Sequence, residues 1–200
     1  MKINNFWLKQ SNLLRWSQKP TFAYKKKKDN YTDWYPDGKI NIYDNCITRN
    51  IESGLGKKIA IYCVDKNKQI KSYTYDEINK KVNLFSQILI SQSKSKNLSL
   101  CKIMIHASAS IESAISMLSC TKLGIHFSVI FEDLAPEAIS KRISLFKPDI
   151  FFSTFNKKIF EKTISKKITT KKKPKFLFFN ELKSLSNKKI VTLKSKIING

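Results

Sequence analysis

The sequence contains few of the residues from which phosphate-binding, metal-binding and base-reading sites are usually built. Its 200 residues include 5 glycines, 4 cysteines and 2 histidines. It holds neither a Gly-x-x-x-x-Gly-Lys phosphate loop nor a Gly-x-Ser-x-Gly nucleophile elbow, and no two cysteines form a Cys-x-x-Cys pair. A P-loop nucleotidase, a hydrolase of the nucleophile-elbow kind and a paired-cysteine zinc site are therefore excluded.

Long apolar runs are also absent. No run approaches the roughly 18 consecutive apolar residues of a membrane-spanning helix, and residues 1–8 lack the pattern of a signal peptide. We therefore expect a cytoplasmic protein with no membrane partner. With 42% hydrophobic and 12% aromatic residues, the chain can bury a core of one domain or of two small ones.

Positive charge is abundant, but arginine is scarce. The formal net charge is +23, which raises nucleic acid as a partner. Arginine, the preferred reader of base edges, occurs only at Arg15, Arg49 and Arg142. The lysines are scattered, with short runs at 25–28 and 171–173. We therefore expect no specific nucleic-acid partner, only electrostatic affinity.

The cysteines and histidines are spread through apolar segments. The cysteines are Cys46, Cys63, Cys101 and Cys120, and we interpret them as buried free thiols. His106 and His126 lie within or beside apolar strands without a carboxylate at fixed spacing. A catalytic imidazole needs an orienting partner, so a core or strand-end role is favoured over a catalytic one.

Residues 101–154 predict an alternation of strand, helix, strand, helix and strand. The expected strands are Cys101–His106, Phe127–Phe131 and Ile150–Phe152. Ser110 is placed to cap the first helix, Gly124 to end it, and Pro136 to open the second. This alternation predicts an α/β fold, a parallel sheet with helices on both faces.

The residues before this unit predict a hairpin and a long helix. Strands are expected at Ile59–Val64 and Ile70–Tyr75. Thr74 and Glu77 have the spacing of a capping box, and the helix that follows presents one apolar face made of Ile78, Val82, Phe85 and Leu89.

The two ends of the chain carry weaker signals. An amphipathic helix is expected within residues 1–30, a solvated loop at Lys25–Lys28, a turn at Pro36-Asp37-Gly38 with a positive φ at the glycine, and a helix at Ile42–Asn50. After residue 154 we expect one helix within 155–173 and a strand at Lys175–Phe179, while residues 182–200 show weak periodicity.

Two short segments are candidates for ligand contacts. Glu132 and Asp133 follow a predicted parallel strand, where ligands gather in open sheets. The alternative, which we favour, is that Asp133 caps the helix that begins near Pro136. Gly54 and Gly56 precede a strand and do not open a helix, so a phosphate loop is rejected there.

Several stretches resemble short-chain acyl-CoA synthetases of the acetyl-CoA synthetase type. Residues 34–41 read WYPDGKIN and residues 45–49 read NCITR, against WFPDGKLN and NCLDRH in that family. Further matches follow in the same order: KIAI at 58–61, YTYDE at 73–77, SMLSCTKLG at 116–124, SVIF at 128–131 and PEAISKRI at 136–143. The resemblance covers residues 34–153.

The resemblance implies an adenylate-forming acid–CoA ligase. In this reaction a carboxylate and Mg-ATP give an acyl-adenylate and pyrophosphate, and the CoA thiol then displaces AMP. ATP, Mg and CoA are thus the cofactors of the parent family. Such catalysis depends mainly on positioning and on neutralising phosphate charge.

The chain departs from the family where phosphates are handled. The family has Phe-Gly-Gly beside its CoA site, and this sequence has Phe131-Glu132-Asp133, whose carboxylates would repel CoA phosphates. Residues 154–158 replace the family's arginine- and glycine-rich CoA stretch, and Lys157 is the candidate cation there. We therefore take Phe131 and Lys157 as CoA-proximal candidates, assign no catalytic or metal-binding residue, and expect ATP, Mg and CoA to bind poorly to this chain alone.

Family members are several times longer than this chain. Their phosphate loop, adenine- and ribose-binding motifs and C-terminal domain with its catalytic lysine have no counterpart in these 200 residues. We expect residues 1–55 to be an acetyl-CoA synthetase-like N-terminal segment and residues 56–200 the first α/β part of a truncated AMP-binding domain.

The expected function is that of an N-terminal fragment of an acetyl-, propionyl- or acetoacetyl-CoA synthetase. We expect the fragment to be inactive alone, either truncated or one half of a split synthetase whose partner is the downstream part. The alternatives are a non-catalytic binding module that retains the fold and a basic nucleic-acid-associated protein.

Overall fold

The computed structural model describes residues 2–28, 31–65, 67–93, 97–168 and 173–181. In chain order its elements are α1 (Lys2–Ser11), β1 (Trp16–Gln18), β2 (Tyr24–Lys26), β3 (Thr32–Trp34), β4 (Lys39–Ile40), β5 (Ile59–Val64), β6 (Ile70–Thr74), α2 (Tyr75–Gln92), β7 (Lys102–His106), α3 (Ile111–Leu123), β8 (His126–Ile130), α4 (Pro136–Phe146), β9 (Ile150–Ser153), α5 (Lys157–Thr163) and β10 (Lys175–Phe178).

The N-terminal segment combines the predicted helix α1 with two small antiparallel sheets. β1 pairs with β4, and β2 pairs with β3. The loop expected at Lys25–Lys28 is therefore wrong in part, because Lys25 and Lys26 belong to β2, although both remain exposed. Aromatic rings hold these pieces together, with Trp34 5.4 Å from Trp7 and 5.6 Å from Tyr24 between ring centroids.

The turn at Pro36-Asp37-Gly38 forms, but the positive φ lies elsewhere. Tyr35 has φ +46°, and the Gly38 N–H donates to the Tyr35 carbonyl at 2.9 Å. Gly38 is required for space, since a Cβ there would lie 2.7 Å from the Trp16 ring. The prediction of a positive φ at Gly38 is thus wrong, because a close approach from β1 selects glycine at this position.

The helix expected at Ile42–Asn50 is confirmed and continues further. Two π-helical turns span Asp44–Thr48 and Ile51–Leu55, and Gly54 departs from helical geometry with φ +81°. Residues 53–55 therefore belong to this helical stretch. Tyr43 and Ile47 are buried against Ile78 and Val82 of α2, so the stretch docks the N-terminal segment on the α/β unit.

The predicted hairpin and capping box are both confirmed. β5 and β6 pair antiparallel, from Ile59↔Thr74 to Val64↔Ile70. The Thr74 side chain accepts a hydrogen bond from the Glu77 N–H, and the Glu77 carboxylate accepts one from the Thr74 N–H at 2.8 Å. All four predicted face residues of α2 are buried.

The central sheet is parallel, with strand order β10-β9-β7-β8. Buried side chains of α2 and α3 pack on one face, and those of α4 and α5 pack on the other, as expected from the sequence. Ser110 caps α3, Gly124 ends it with φ +65°, and Pro136 opens α4.

The final described residues differ from the single helix expected within 155–173. α5 spans seven residues and is followed by a short 3₁₀ turn, Ser165–Lys167. β10 confirms the last expected strand. Residues 169–172 and 182–200, including most of the second lysine run and the last weakly periodic stretch, lie outside the described residues. No helix in the described ranges is long and apolar enough to cross a membrane.

Candidate functional site

The carboxyl ends of the four parallel strands form the edge at which the sequence places its candidate residues. β7 is the first strand of the sheet and lies between β8 and β9, so the chain reverses its direction across the sheet between β7 and β9. In open α/β sheets such a reversal leaves a crevice outside the carboxyl ends of the two strands, where ligands bind. The residues that border this crevice lie at the ends of β7 and β9 or directly after them.

A buried polar pair lies at this reversal. His106 and Ser153 are register partners at the ends of β7 and β9, both are fully buried, and His106 Nδ1 lies 2.9 Å from Ser153 Oγ. Ser153 Oγ also accepts a hydrogen bond from the Phe155 N–H at 3.0 Å. The other imidazole nitrogen, Nε2, and the hydroxyl of Thr154 are buried without a hydrogen-bond partner among the described residues.

Burial keeps the imidazole neutral. Desolvation lowers the pKa of His106 to about 4. The backbone of Glu132 raises this pKa, but by less than desolvation lowers it. The ring lies among three phenylalanine rings, with centroid distances of 5.6 Å to Phe151, 5.7 Å to Phe155 and 6.3 Å to Phe160. A substrate cannot reach the Ser153 hydroxyl, so the pair stabilises the core and is not a nucleophile–base couple.

The predicted role of His106 as a core histidine is thus confirmed. His126 begins β8 at the opposite, amino-terminal edge of the sheet and is exposed. Cys101 and Cys120 are buried as expected, and burial raises the pKa of Cys120 to about 12. Cys46 is exposed and Cys63 is half-buried, so the expectation of buried thiols is wrong for Cys46.

The residues after β8 form a turn that is open to solvent. Phe131 is 65% exposed, and its carbonyl accepts the Leu134 N–H at 3.4 Å. The expectation that Asp133 caps α4 is wrong: the N-cap is Ala135, which makes no side-chain cap. An exposed aromatic ring and two carboxylates therefore border this part of the edge.

Lys157, the candidate cation, already has a partner. Its Nζ donates to the Glu181 carboxylate at 2.6 Å, which raises the pKa of the lysine, and it lies 5.9 Å from the centre of the Phe178 ring. Both partners belong to the β10 side of the sheet, whereas Phe131 follows β8 at the other side. Within the described residues no hydrogen bond, ion pair or ring contact joins Lys157 to Phe131.

The glycine pair before β5 does not form a phosphate cradle. A Cβ at Gly56 would lie 2.6 Å from the Asp76 carboxylate, and the Gly56 carbonyl accepts the Asp76 N–H at 3.0 Å. An anion already fills the space beside this glycine. In the part of the chain that the structure describes, no group of His, Cys, Asp and Glu side chains could hold a metal ion.

Sequence reasoning missed the His106–Ser153 pair, although one signal was available. The two residues end two strands that parallel pairing brings into register. It also missed an ion cluster in which Arg15 meets Asp44 and Glu52, because these residues lie 29 and 37 positions away along the chain.

Comparisons with known proteins agree with the motifs. The family described as acetyl-coenzyme A synthetase N-terminus matches residues 2–46. Acetyl-coenzyme A synthetase of Streptomyces coelicolor is 28% identical over 142 residues, covering 69% of this chain and 21% of the relative. That of Leptospira biflexa serovar Patoc is 32% identical over 154 residues, covering 74% of this chain and 23% of the relative.

A eukaryotic relative and one solved structure also match. Mitochondrial acyl-CoA synthetase short-chain family member 3 of Pongo abelii is 28% identical over 146 residues, covering 72% of this chain and 21% of the relative. The crystal structure of CmiS6 has a TM-score of 0.49 and 14% identity, covering 56% of this chain and 26% of that one.

The fold described above is an α/β unit with a four-stranded parallel sheet and helices on both faces. The chain has an acetyl-CoA synthetase-like N-terminal portion, as the motifs indicated. It spans between a fifth and a quarter of the length of the curated relatives that it matches.

Proposed function

We propose that this chain is the N-terminal α/β part of a cytoplasmic, AMP-forming short-chain acyl-CoA ligase that activates acetate, propionate or acetoacetate. The supporting observation is 28–32% identity to acetyl-CoA and short-chain acyl-CoA synthetases over 69–74% of the chain. The proposed division falls between residues 55 and 56, where the helical stretch ends at Leu55 and the chain turns into β5. Residues 1–55 are then the N-terminal segment, and 56–200 the first part of the AMP-binding domain.

We further propose that the chain alone does not form an acyl-adenylate. Adenylation requires the α-phosphate and Mg²⁺ to be held while a carboxylate attacks in line, and backbone N–H groups and hydroxyls usually provide that hold. Gly54 and Gly56 do not fit this role, because the Asp76 carboxylate lies against Gly56. This glycine pair therefore does not fit the phosphates of ATP.

The sheet edge does not fit CoA phosphates in this chain either. Glu132 and Asp133 follow β8 and would repel a phosphate, while Lys157 is neutralised by Glu181. That Phe131 and Lys157 border the CoA path remains a proposal for the assembled enzyme. It requires that a partner supply further positive charge at this edge.

The partner proposed is the downstream part of a synthetase on a second polypeptide. Among the described strands, β8 and β10 are the outer strands of the sheet, and each has one edge without a strand neighbour. An unpaired edge offers a row of backbone hydrogen-bonding groups to which further strands can add. The remainder of a ligase could extend the sheet there.

The test is ATP–pyrophosphate exchange driven by acetate, propionate or acetoacetate. We expect the purified chain to give no more exchange than the heat-denatured protein, and exchange to appear when the product of the following reading frame is added. Exchange by the chain alone would overturn its proposed inactivity. A mixture that forms a complex but never exchanges would overturn the split-ligase proposal.

A further inference from the structure

A cavity of about 630 Å³ lies where the N-terminal segment meets the α/β unit. The residues that line it come from three places. Arg15 and Trp16 lie at the start of β1, Tyr43, Asp44 and Glu52 lie in the helical stretch that ends at Leu55, and Lys122 lies in α3. Its volume is in the range of small-molecule sites, which combine apolar walls with a few converging polar groups. It lies apart from the carboxyl edge of the sheet described above.

Lys122 provides the positive end of the cavity. Its Nζ lies 4.8 Å from the centre of the Tyr43 ring and donates a hydrogen bond to Asn83 Oδ1. Desolvation lowers the pKa of this lysine. Among the described residues, no carboxylate lies within ion-pair distance of it, so its charge is matched only by a ring and an amide.

A hydrogen-bonded network holds this lysine in place. Asn79 Oδ1 accepts hydrogen bonds from the Tyr43 hydroxyl and from Asn83 Nδ2, the latter at 3.0 Å. Burial raises the pKa of Tyr43, so its hydroxyl remains a donor. Tyr43, Asn79, Asn83 and Lys122 therefore form a closed ring of contacts that joins α2, α3 and the stretch before Asp44.

Three charged side chains provide the negative end. The Arg15 guanidinium contacts Asp44 at 3.3 Å and Glu52 at 2.5 Å. One cation faces two carboxylates, so this cluster carries one net negative charge. The side chains of Trp16 and Ile51 add apolar surface to the same cavity.

We propose that this cavity binds a small zwitterion of the amino-acid class, with its carboxylate at Lys122, its ammonium at Asp44 and Glu52, and an apolar side chain against Trp16. A simple anion would be attracted by Lys122 but repelled by the two carboxylates. A simple amine would be repelled by Lys122. A molecule with both charges is attracted at both ends. This inference does not depend on the proposed ligase function.

The test is isothermal titration calorimetry of the full chain with three probes that share a phenylethyl group. L-phenylalanine carries both charges, 3-phenylpropanoate lacks the ammonium, and 2-phenylethylamine lacks the carboxylate. We expect L-phenylalanine to bind at least about tenfold more tightly than either analogue, with a dissociation constant of about 1 mM or below. Equal affinities, tighter binding of either analogue, or no saturable binding of L-phenylalanine would overturn the proposal.

Charge-removing variants locate the site. Lys122→Gln and Glu52→Gln should each weaken L-phenylalanine binding by about tenfold, and Lys122→Arg should retain most of it. The matched control is Lys141→Gln, which removes the charge of an exposed lysine on α4. If Lys122→Gln fails to fold, Glu52→Gln decides the outcome, because that carboxylate is 53% exposed. Unchanged binding in Glu52→Gln, or an equal loss in Lys141→Gln, would contradict the assignment.

Discussion

The side-chain amide of Asn45 forms hydrogen bonds with both backbone polar groups of Arg15. Its Oδ1 accepts the Arg15 N–H and its Nδ2 donates to the Arg15 carbonyl, each at 2.8 Å. The amide thus forms the two hydrogen bonds that a residue of a neighbouring β-strand would form, although Arg15 lies 30 positions away along the chain. This contact places the Arg15 guanidinium beside Asp44 and Glu52.

Asn45→Ala should release the N-terminal segment from the helical stretch. The loss of these two hydrogen bonds, and of a third from Asn45 Nδ2 to the Asn41 carbonyl at 3.1 Å, should lower the free energy of unfolding by about 1–3 kcal/mol. Urea unfolding measures this, and limited proteolysis should show faster cleavage near residue 15. Asn67→Ala, in an exposed turn, is the matched control and should leave both unchanged. Equal stability of the two variants would contradict this role of Asn45.

Acidification should destabilise the fold through His106. The pKa of this group is about 4 in the folded chain against 6.5 for an unperturbed imidazole. Between these two pH values the unfolded state binds more protons, so stability falls as the pH falls from 6.5 to 4. The loss should approach about 3 kcal/mol, since one pKa unit corresponds to about 1.4 kcal/mol.

The carboxylates act in a different pH window. Hydrogen bonds lower the pKa values of Asp37, Glu77 and Glu137 below their usual 3.8–4.5. The stability that these carboxylates contribute is therefore lost at a lower pH than the stability contributed by His106. Urea midpoints between pH 4.5 and pH 7.5 therefore report mainly on His106. His106→Phe, which removes the titrating group, should flatten the pH dependence, whereas His126→Gln should preserve it. An unchanged slope in His106→Phe would refute this account.

Gly38→Ala should disturb the packing of Trp16. The new methyl group would lie 2.7 Å from the Trp16 ring and 3.3 Å from Pro20 Cβ, which forces a shift costing about 1–3 kcal/mol. The tryptophan emission spectrum should change together with the urea midpoint. Gly124→Ala is the comparison: a Cβ there meets open space but requires φ +65°, a strain of about 1–2 kcal/mol. It should lower the midpoint without altering the emission.

Nucleic-acid binding should be sequence-blind and strongly salt-dependent. Two of the three arginines are engaged within the chain, Arg15 by Asp44 and Glu52, and Arg49 by the Leu13 carbonyl at 2.6 Å. Lysine charge then supplies the affinity, which falls steeply as salt rises. Fluorescence anisotropy with two labelled single strands of unrelated sequence should give equal affinities. Discrimination that persists at high salt would support the nucleic-acid alternative.

The sequence predicted correctly those helix ends that depend on residues close together in the chain. The capping box at Thr74 and Glu77, the cap at Ser110 and the stop at Gly124 each depend on residues within one helical turn, and all three form. The parallel sheet could be predicted because short connections leave few ways to pair its strands. Most of the fold was therefore accessible from the sequence.

The errors have two kinds of physical cause, one local and the other distant in sequence. Asp133 cannot cap α4 because Pro136 takes the first helical position, which makes Ala135 the N-cap. Gly38 is selected by the Trp16 ring, 22 positions earlier in sequence, and not by its own φ. The ion cluster and the cavity depend on residues that are brought together only by the docking of the N-terminal segment, which no local pattern indicates.

The contact between Asn41 and α3 has a consequence for synthesis of the chain. Asn41 Nδ2 donates to the Thr121 carbonyl at 3.2 Å, across 80 positions. A ribosome that adds about 5–20 residues per second makes Thr121 roughly 4–16 s after Asn41. During that interval Tyr43 and Ile47 lack part of the surface that buries them, because Ile111 and Leu118 of α3 belong to the same apolar cluster. Nascent chains should therefore be most open to chaperones before α3 has emerged.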